Sequence, residues 1–258
     1  MLLTVDAGNT NVTLGLYRGD ELGPCWRLAS DADRMADEYG LQLTGLLAHA
    51  GISPQELTGA CMASVVPPLT GKLFAACRKY LAVEPLVVGA GVKTGVRVLY
   101  EDPRTVGSDR IVNACAVKKL YGGPACVVDF GTATTFDAIS PGGEYLGGAI
   151  APGIHIGAHG LYRSTAKLPR VDIERPPSVI GRNTPHAIQS GLVFGYASLV
   201  EGMVARFRRE LGADMKVVAT GGLAELMAGE TTVIDVIAPW LTLEGLRLIW
   251  DMNLETRR

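Results

Sequence analysis

Two stretches of this chain end an apolar run on a carboxylate and then turn at once. In the first, Leu3-Thr4-Val5-Asp6 leads into Ala7-Gly8-Asn9-Thr10-Asn11 and then Val12-Thr13. In the second, Cys126-Val127-Val128-Asp129 leads into Phe130-Gly131-Thr132-Ala133. Tight turns of glycine and small polar residues point backbone N–H groups and hydroxyls outward without side-chain bulk, which suits phosphate oxygens. A carboxylate at the strand end repels phosphate unless a cation lies between them. Asp6 and Asp129 therefore read as cation-side ligands, direct or through water. A single copy reads first as a hairpin whose Asp and Asn satisfy turn amides. The repeat shifts that balance. Asp129 follows Asp6 by 123 residues, with Gly131, Thr132 and Ala133 aligned to Gly8, Asn9 and Thr10. Such a repeat implies two similar β-rich α/β domains facing each other across a cleft.

A third candidate is Gly107-Ser108-Asp109-Arg110. Ser108 reads as the N-cap of a helix running to Tyr121. Asp109 and Arg110 then fall in the first turn, where the helix dipole keeps a carboxylate ionised, and Arg110 is placed to grip an anionic group. Taken alone, Asp109 is a dipole partner. Thr184-Pro185 reads as the N-cap and first residue of a helix through Tyr196, and Tyr100 reads as packing at a strand end. His155 and His159 have helical spacing, but Gly153, Gly157 and Gly160 argue for a loop.

These groups need elements to hold them. Apolar and alternating runs predict strands at 2–6, 11–17, 25–30, 60–66, 85–88 and 96–100. Asp31 or Asp33 caps a helix that Gly51 ends, and another follows Pro67-Pro68 to about Leu81. "VVATGGLAEL" (217–226) is the second-half counterpart of "CMASVVPPL". The split predicts domains at 1–121 and 122–258, with residues 145–190, rich in Gly, Pro and Arg, as an insertion. "LVVGAGVKTGVRV" (86–98) imitates a nucleotide loop. Val92 rather than Gly precedes Lys93-Thr94, and no helix pattern follows, so it reads as a hairpin turn and not as a Walker or dinucleotide motif.

The 258 residues are 48% hydrophobic with a formal net charge of −2. No basic field points to nucleic acid. The start lacks a signal-peptide pattern, and no stretch nears the length of a membrane span. The five cysteines are odd in number, lack a C-x-x-C pair and lie mostly in apolar segments. They read as reduced thiols of a cytoplasmic protein, without a zinc site or disulfides.

"DAGNTN", "GSDRIVNA", "VVDFGTATTFD", "GGAIAPG" and "TGGLA", in that order, resemble the acetate/sugar kinase, chaperone ATPase and actin superfamily. More narrowly they resemble type III pantothenate kinases, over essentially the whole chain. The resemblance implies two ribonuclease H-like domains and ATP-dependent phosphorylation of pantothenate, the first step of coenzyme A synthesis. It implies that Asp6, Ala7, Gly8, Asn9, Thr10, Asn11, Val12, Thr13 and Thr132 bind Mg-ATP, and that Asp129 binds a monovalent cation, potassium or ammonium. Gly107, Ser108, Asp109 and Arg110 would hold pantothenate, with Asp109 as proton acceptor and Tyr100 and Thr184 completing the pocket. A homodimer is also implied. Two other readings are another enzyme of this fold, such as a sugar kinase or phosphatase, and a regulator without turnover. The acid at 109 counts against a regulator, and the Gly-Ser-Asp-Arg context counts against other enzymes.

Overall fold

A computed structural model describes residues 1–254. Contacts group Met1–Val96, Glu101–Ala116 and the chain from Thr242 into one unit, and Arg97–Tyr100 with Val117–Leu241 into another.

The first unit opens with β1 (Leu2–Ala7), β2 (Asn11–Arg18) and β3 (Glu21–Ala29), followed by α1 (Ala36–His49), β4 (Gly59–Ser64), α2 (Pro67–Leu81) and β5 (Pro85–Val87). Its sheet runs β3-β2-β1-β4-β5. The β1–β2 and β2–β3 pairs are antiparallel, whereas β1–β4 and β4–β5 are parallel. Alternate residues of β1 and β2 (Leu3, Val5, Val12, Leu14) meet Tyr39, Leu43 and Leu47 of α1 and Leu69, Leu73 and Leu81 of α2 in one core. Helix α1 starts later than the sequence predicts. Asp31 caps no helix and accepts the N–H groups of Asp33 and Arg34 instead, while Glu38 accepts the Met35 N–H at 2.7 Å.

Helix α3 (Ser108–Leu120) carries the chain from one unit into the other. Then come β6 (Ala125–Phe130), β7 (Ala133–Ile139), β8 (Tyr145–Pro152), α4 (Ile154–Ser164), α5 (Thr184–Leu211), β9 (Lys216–Gly221), α6 (Ala224–Ala228) and β10 (Val236–Ile237). Read from β8, the second sheet runs β8-β7-β6-β9-β10, with the same pairing directions as the first. The internal repeat is therefore a repeat of topology. It includes β8, so residues 145–152 are a repeated strand and not part of an insertion. Phe130, Phe136, Val128 and Val217 form the core with Ile188, Leu192, Val200 and Val204 of α5.

Several local expectations are corrected. The chain turns at Gly91 and Gly95, whose φ are +86° and +71°, and residues 96–100 beyond them form no strand, with Val98 making a single bridge to Tyr145. The 86–98 segment therefore turns but does not fold back as a hairpin. His155 and His159 lie on α4, a helix despite its glycines. Gly157 lets this helix approach α5, since a Cβ there would sit 3.1 Å from the Tyr196 hydroxyl. Helix α5 continues past Tyr196 to Leu211, so it is long and apolar enough to cross a membrane by length and composition. Its Ile188, Leu192, Val193, Ala197, Val200 and Val204 are buried.

The last helix, α7 (Leu241–Leu254), falls within the sequence split's second half, yet from Thr242 it packs with the first unit. Gly15 faces Leu243, Gly59 lies under the Trp250 ring and Gly245 abuts the backbone of Val112. Arg247 ties the helix further to Asp20 at 2.6 Å, and Glu244 accepts the Tyr17 hydroxyl at 2.9 Å.

Candidate active site

In the first unit, Asp6 lies near the end of β1 opposite Thr13 of β2 and Ala63 of β4. The turn beyond it is closed by Gly8 N–H donating to Asn11 O at 3.0 Å. It is held from the side by Ser30, whose hydroxyl donates to Gly8 O at 2.5 Å and whose N–H donates to Thr10 O at 2.9 Å. Asn9, Thr10 and Asn11 are exposed, while Ala7 and Val12 are buried beneath them. The loop is hydrogen-bonded at its base and exposed at its tip.

Asp109 reaches the same unit through β4. The last residue of β4, Ser64, pairs with Ala7. Its N–H donates to the Ser108 hydroxyl at 3.1 Å, and that hydroxyl donates back to Ser64 O at 3.2 Å. Ser108 is thus the first helical residue and not the N-cap. Gly107 stands in that place, its carbonyl accepting the N–H groups of Arg110 and Ile111. The Asp109 carboxylate folds back over Gly107, where any side chain would collide with Oδ1, and it accepts the Arg110 N–H at 2.8 Å. Burial lifts the Asp109 pKa above its ordinary value, against the opposing pull of the Arg110 N–H and guanidinium. The first-turn dipole that the sequence invokes is therefore outweighed by desolvation, and a raised pKa makes a carboxylate a stronger proton acceptor.

The second unit has its own hairpin. Asp129 lies opposite Thr135 on β7 and Thr220 on β9. Gly131 N–H donates to Ala133 O at 3.1 Å, which leaves Thr132 alone at the tip. This tip is one residue shorter than Asn9-Thr10, so Ala133 corresponds to Asn11 and not to Thr10. The Asp129 carboxylate is seated against glycines. A Cβ on Gly221, whose φ is +91°, would stand 2.5 Å from Oδ1, and one on Gly131 would stand 3.4 Å away. Gly153 packs on the carbonyl oxygens of Gly131 and Thr132, where any side chain would collide. Gly153 is fixed in turn by the Tyr196 hydroxyl, which lies 3.0 Å from Pro152 O and 3.3 Å from Gly153 O. "GGAIAPG" and "TGGLA" stand out as motifs in the sequence, but only packing shows that Gly153 backs the Gly131-Thr132 turn and Gly221 seats the Asp129 carboxylate.

Of the remaining candidates, Tyr100 is 41% exposed and leans on Tyr145. Thr184 is exposed at the start of α5, one position inside the N-cap, a place taken by Asn183, whose side chain accepts the His186 N–H at 2.8 Å. Among the described residues, no group of three or more His, Cys, Asp or Glu side chains is arranged to hold a metal.

The chain has the two-unit α/β fold of the actin-like ATPases and sugar kinases. It is similar at TM-score 0.57 and 13% identity to a putative 2-dehydro-3-deoxygalactonokinase from Sinorhizobium meliloti, over 99% of this chain and 96% of that one. It is also similar at TM-score 0.62 and 19% identity to a putative Baf family transcriptional activator from Campylobacter jejuni, over 98% and 99%. These likenesses speak for the fold alone. The model of the type III pantothenate kinase family matches residues 2–206. A type III pantothenate kinase of Roseiflexus sp. strain RS-1 is 54% identical over 253 residues, covering 98% of this chain and 99% of that protein. The chain belongs to the type III pantothenate kinase family.

Proposed function

We propose how this chain, an enzyme that phosphorylates pantothenate at the expense of ATP in coenzyme A biosynthesis, divides that work among its residues. Phosphoryl transfer passes through a loose transition state, so positioning and charge neutralisation carry most of the catalysis. Asp109 accepts the proton of the pantothenate primary hydroxyl. Gly107, Ser108 and Arg110 hold the substrate beside it, with Arg110 toward the carboxylate, and Tyr100 and Thr184 complete the pocket. The loop from Asp6 through Ala7, Gly8, Asn9, Thr10, Asn11 and Val12 to Thr13 binds Mg-ATP, and Thr132 contacts its phosphates. The observation that carries this reading is Asp109 itself, a carboxyl leaning on Gly107 and made more basic by burial.

Asp129 suits a monovalent cation, potassium or ammonium. It offers hard oxygen in a seat shaped by Gly131 and Gly221 that a Cβ would fill. When bound, such a cation supplies positive charge against phosphate oxygens.

The enzyme works as a cytoplasmic homodimer, away from membrane and nucleic acid. None of the five cysteines is in a disulfide among the described residues and four are buried, which fits a reducing compartment. The apolar face of α5 is spent on the core of its own unit. Exposed apolar residues on α4 and β8, Ile156, Tyr162 and Ile150, are offered instead as the dimer face.

The test is a product assay in which the protein, Mg-ATP and a panel of hydroxyl compounds are followed by mass spectrometry. Phosphopantothenate is the expected product. Phosphorylation of another acceptor, with pantothenate untouched, would refute the assignment.

A further inference from the structure

Tyr100 is one of the proposed pantothenate contacts, and the structure shows what sets its position. Its ring leans on that of Tyr145, with centroids 6.4 Å apart and planes at 53°. It also lies over Gly147, whose φ of +123° favours glycine and where a Cβ would stand 3.2 Å from the ring. Tyr145 holds the backbone of the same segment, donating its N–H to Arg97 O at 2.9 Å and accepting the Leu99 N–H at 2.8 Å. One residue thereby fixes both the peptides before Tyr100 and the Tyr100 ring.

Tyr145 is itself anchored. It is fully buried, and its hydroxyl donates to Asp137 Oδ1 at 2.9 Å. Asp137, equally buried on β7, receives the Thr135 hydroxyl on Oδ2 at 3.2 Å. Burying polar groups costs free energy unless they are paired, and a phenol aimed at a fixed carboxyl gains direction that an apolar pair would lack. We propose that Tyr145, anchored on Asp137, is a positioning residue that sets Tyr100 against pantothenate. This inference rests on Tyr100 being a pantothenate contact.

The experiment compares steady-state kinetics of Tyr145→Phe, Asp137→Asn, Asp137→Leu and Tyr100→Ala in the full-length enzyme, with folding followed by circular dichroism. Tyr145→Phe keeps the ring and loses one hydrogen bond. It should raise the pantothenate KM about three- to tenfold, with kcat and the ATP KM held within about twofold. Asp137→Asn keeps an acceptor for the phenol and should rescue the pantothenate KM, whereas Asp137→Leu should behave as Tyr145→Phe. The Asp137 pair decides the matter on its own where Tyr145→Phe does not fold. An unchanged pantothenate KM in Tyr145→Phe, or an equal rise for both substrates, overturns the inference if Tyr100→Ala raises the pantothenate KM. An unchanged KM in Tyr100→Ala overturns the pocket reading beneath it.

Discussion

The hydroxyl of Ser108 grips both backbone groups of Ser64, accepting its N–H at 3.1 Å and donating to its carbonyl at 3.2 Å. Because Ser64 pairs with Ala7, this bond links the base of the first hairpin turn to the helical turn that carries Asp109. Ser108→Ala should cost about 1 kcal/mol of stability and lower kcat about tenfold through a displaced Asp109. Thermal unfolding together with kinetics checks this. A stability loss with kcat intact would make the bond structural only.

Asp109→Asn removes the proton acceptor and should lower kcat by about 10²–10⁴-fold, with ATP binding by calorimetry unchanged. Its pKa is raised, so the acid limb of the wild-type kcat/KM profile should lie above the ordinary Asp value and vanish in the variant. Stability follows the same sign. A group whose folded pKa is raised stabilises the folded state below its unfolded pKa and loses that contribution as pH rises through the folded pKa. Asp109→Asn should therefore raise the Tm at neutral pH, and the gain should shrink toward acid pH. A lower Tm at neutral pH would contradict the desolvation argument.

Gly153→Ala should push on the Gly131 and Thr132 carbonyls. Overpacking of this kind costs about 1–3 kcal/mol, so the ATP KM should rise about tenfold while the pantothenate KM holds. Tyr196→Phe, which frees Pro152 and Gly153, should shift the ATP KM in the same direction by less. Equal rises for both substrates would point to general damage.

Potassium should raise the Tm of the wild-type protein relative to tetramethylammonium at equal ionic strength, because a ligand of the folded state stabilises it. Asp129→Asn should abolish the difference. Gly221→Ala should weaken it, since the new Cβ would crowd Oδ1. A potassium effect that survives in Asp129→Asn places the cation elsewhere.

Light scattering at micromolar concentration should give twice the chain mass. Ile156→Glu or Ile150→Arg, each placing a charge on an exposed apolar position, should halve it. Dimers in both variants would move the interface off α4 and β8.

Much of the fold is legible in the sequence because its signals are local. The apolar runs of β1 and β6 and the repeated Asp-x-Gly turn lead directly to the two hairpins and to the duplicated α/β architecture. The closeness of Gly153 to Thr132, and of Gly221 to Asp129, is tertiary, and no spacing rule reports it. Helix α4 escapes a sequence reading because each glycine costs about 1 kcal/mol in a helix, a penalty outweighed here by the burial of Ile154 and the approach of Gly157 to α5. Capping preferences favour Ser108 over its neighbour, while the real cap is a glycine one residue earlier that leaves room for Asp109. The missing strand at 96–100 has the same kind of cause: the alternation of Val96 and Val98 does not report that the segment bridges Tyr145 through Val98 alone.

The shorter tip of the second hairpin has a consequence for engineering. Despite the missing residue, Asp129 still faces Thr135 just as Asp6 faces Thr13. Tip length and strand register are thus separable variables in this scaffold. A residue inserted beside Thr132 would enlarge the turn and leave every cross-strand partner where it is, whereas one inserted within β6 or β7 would swap the two faces of the strand beyond it. The two tips can accordingly be exchanged or resized as cassettes, each grafted onto the other's Asp–Thr pair, without redesigning either sheet.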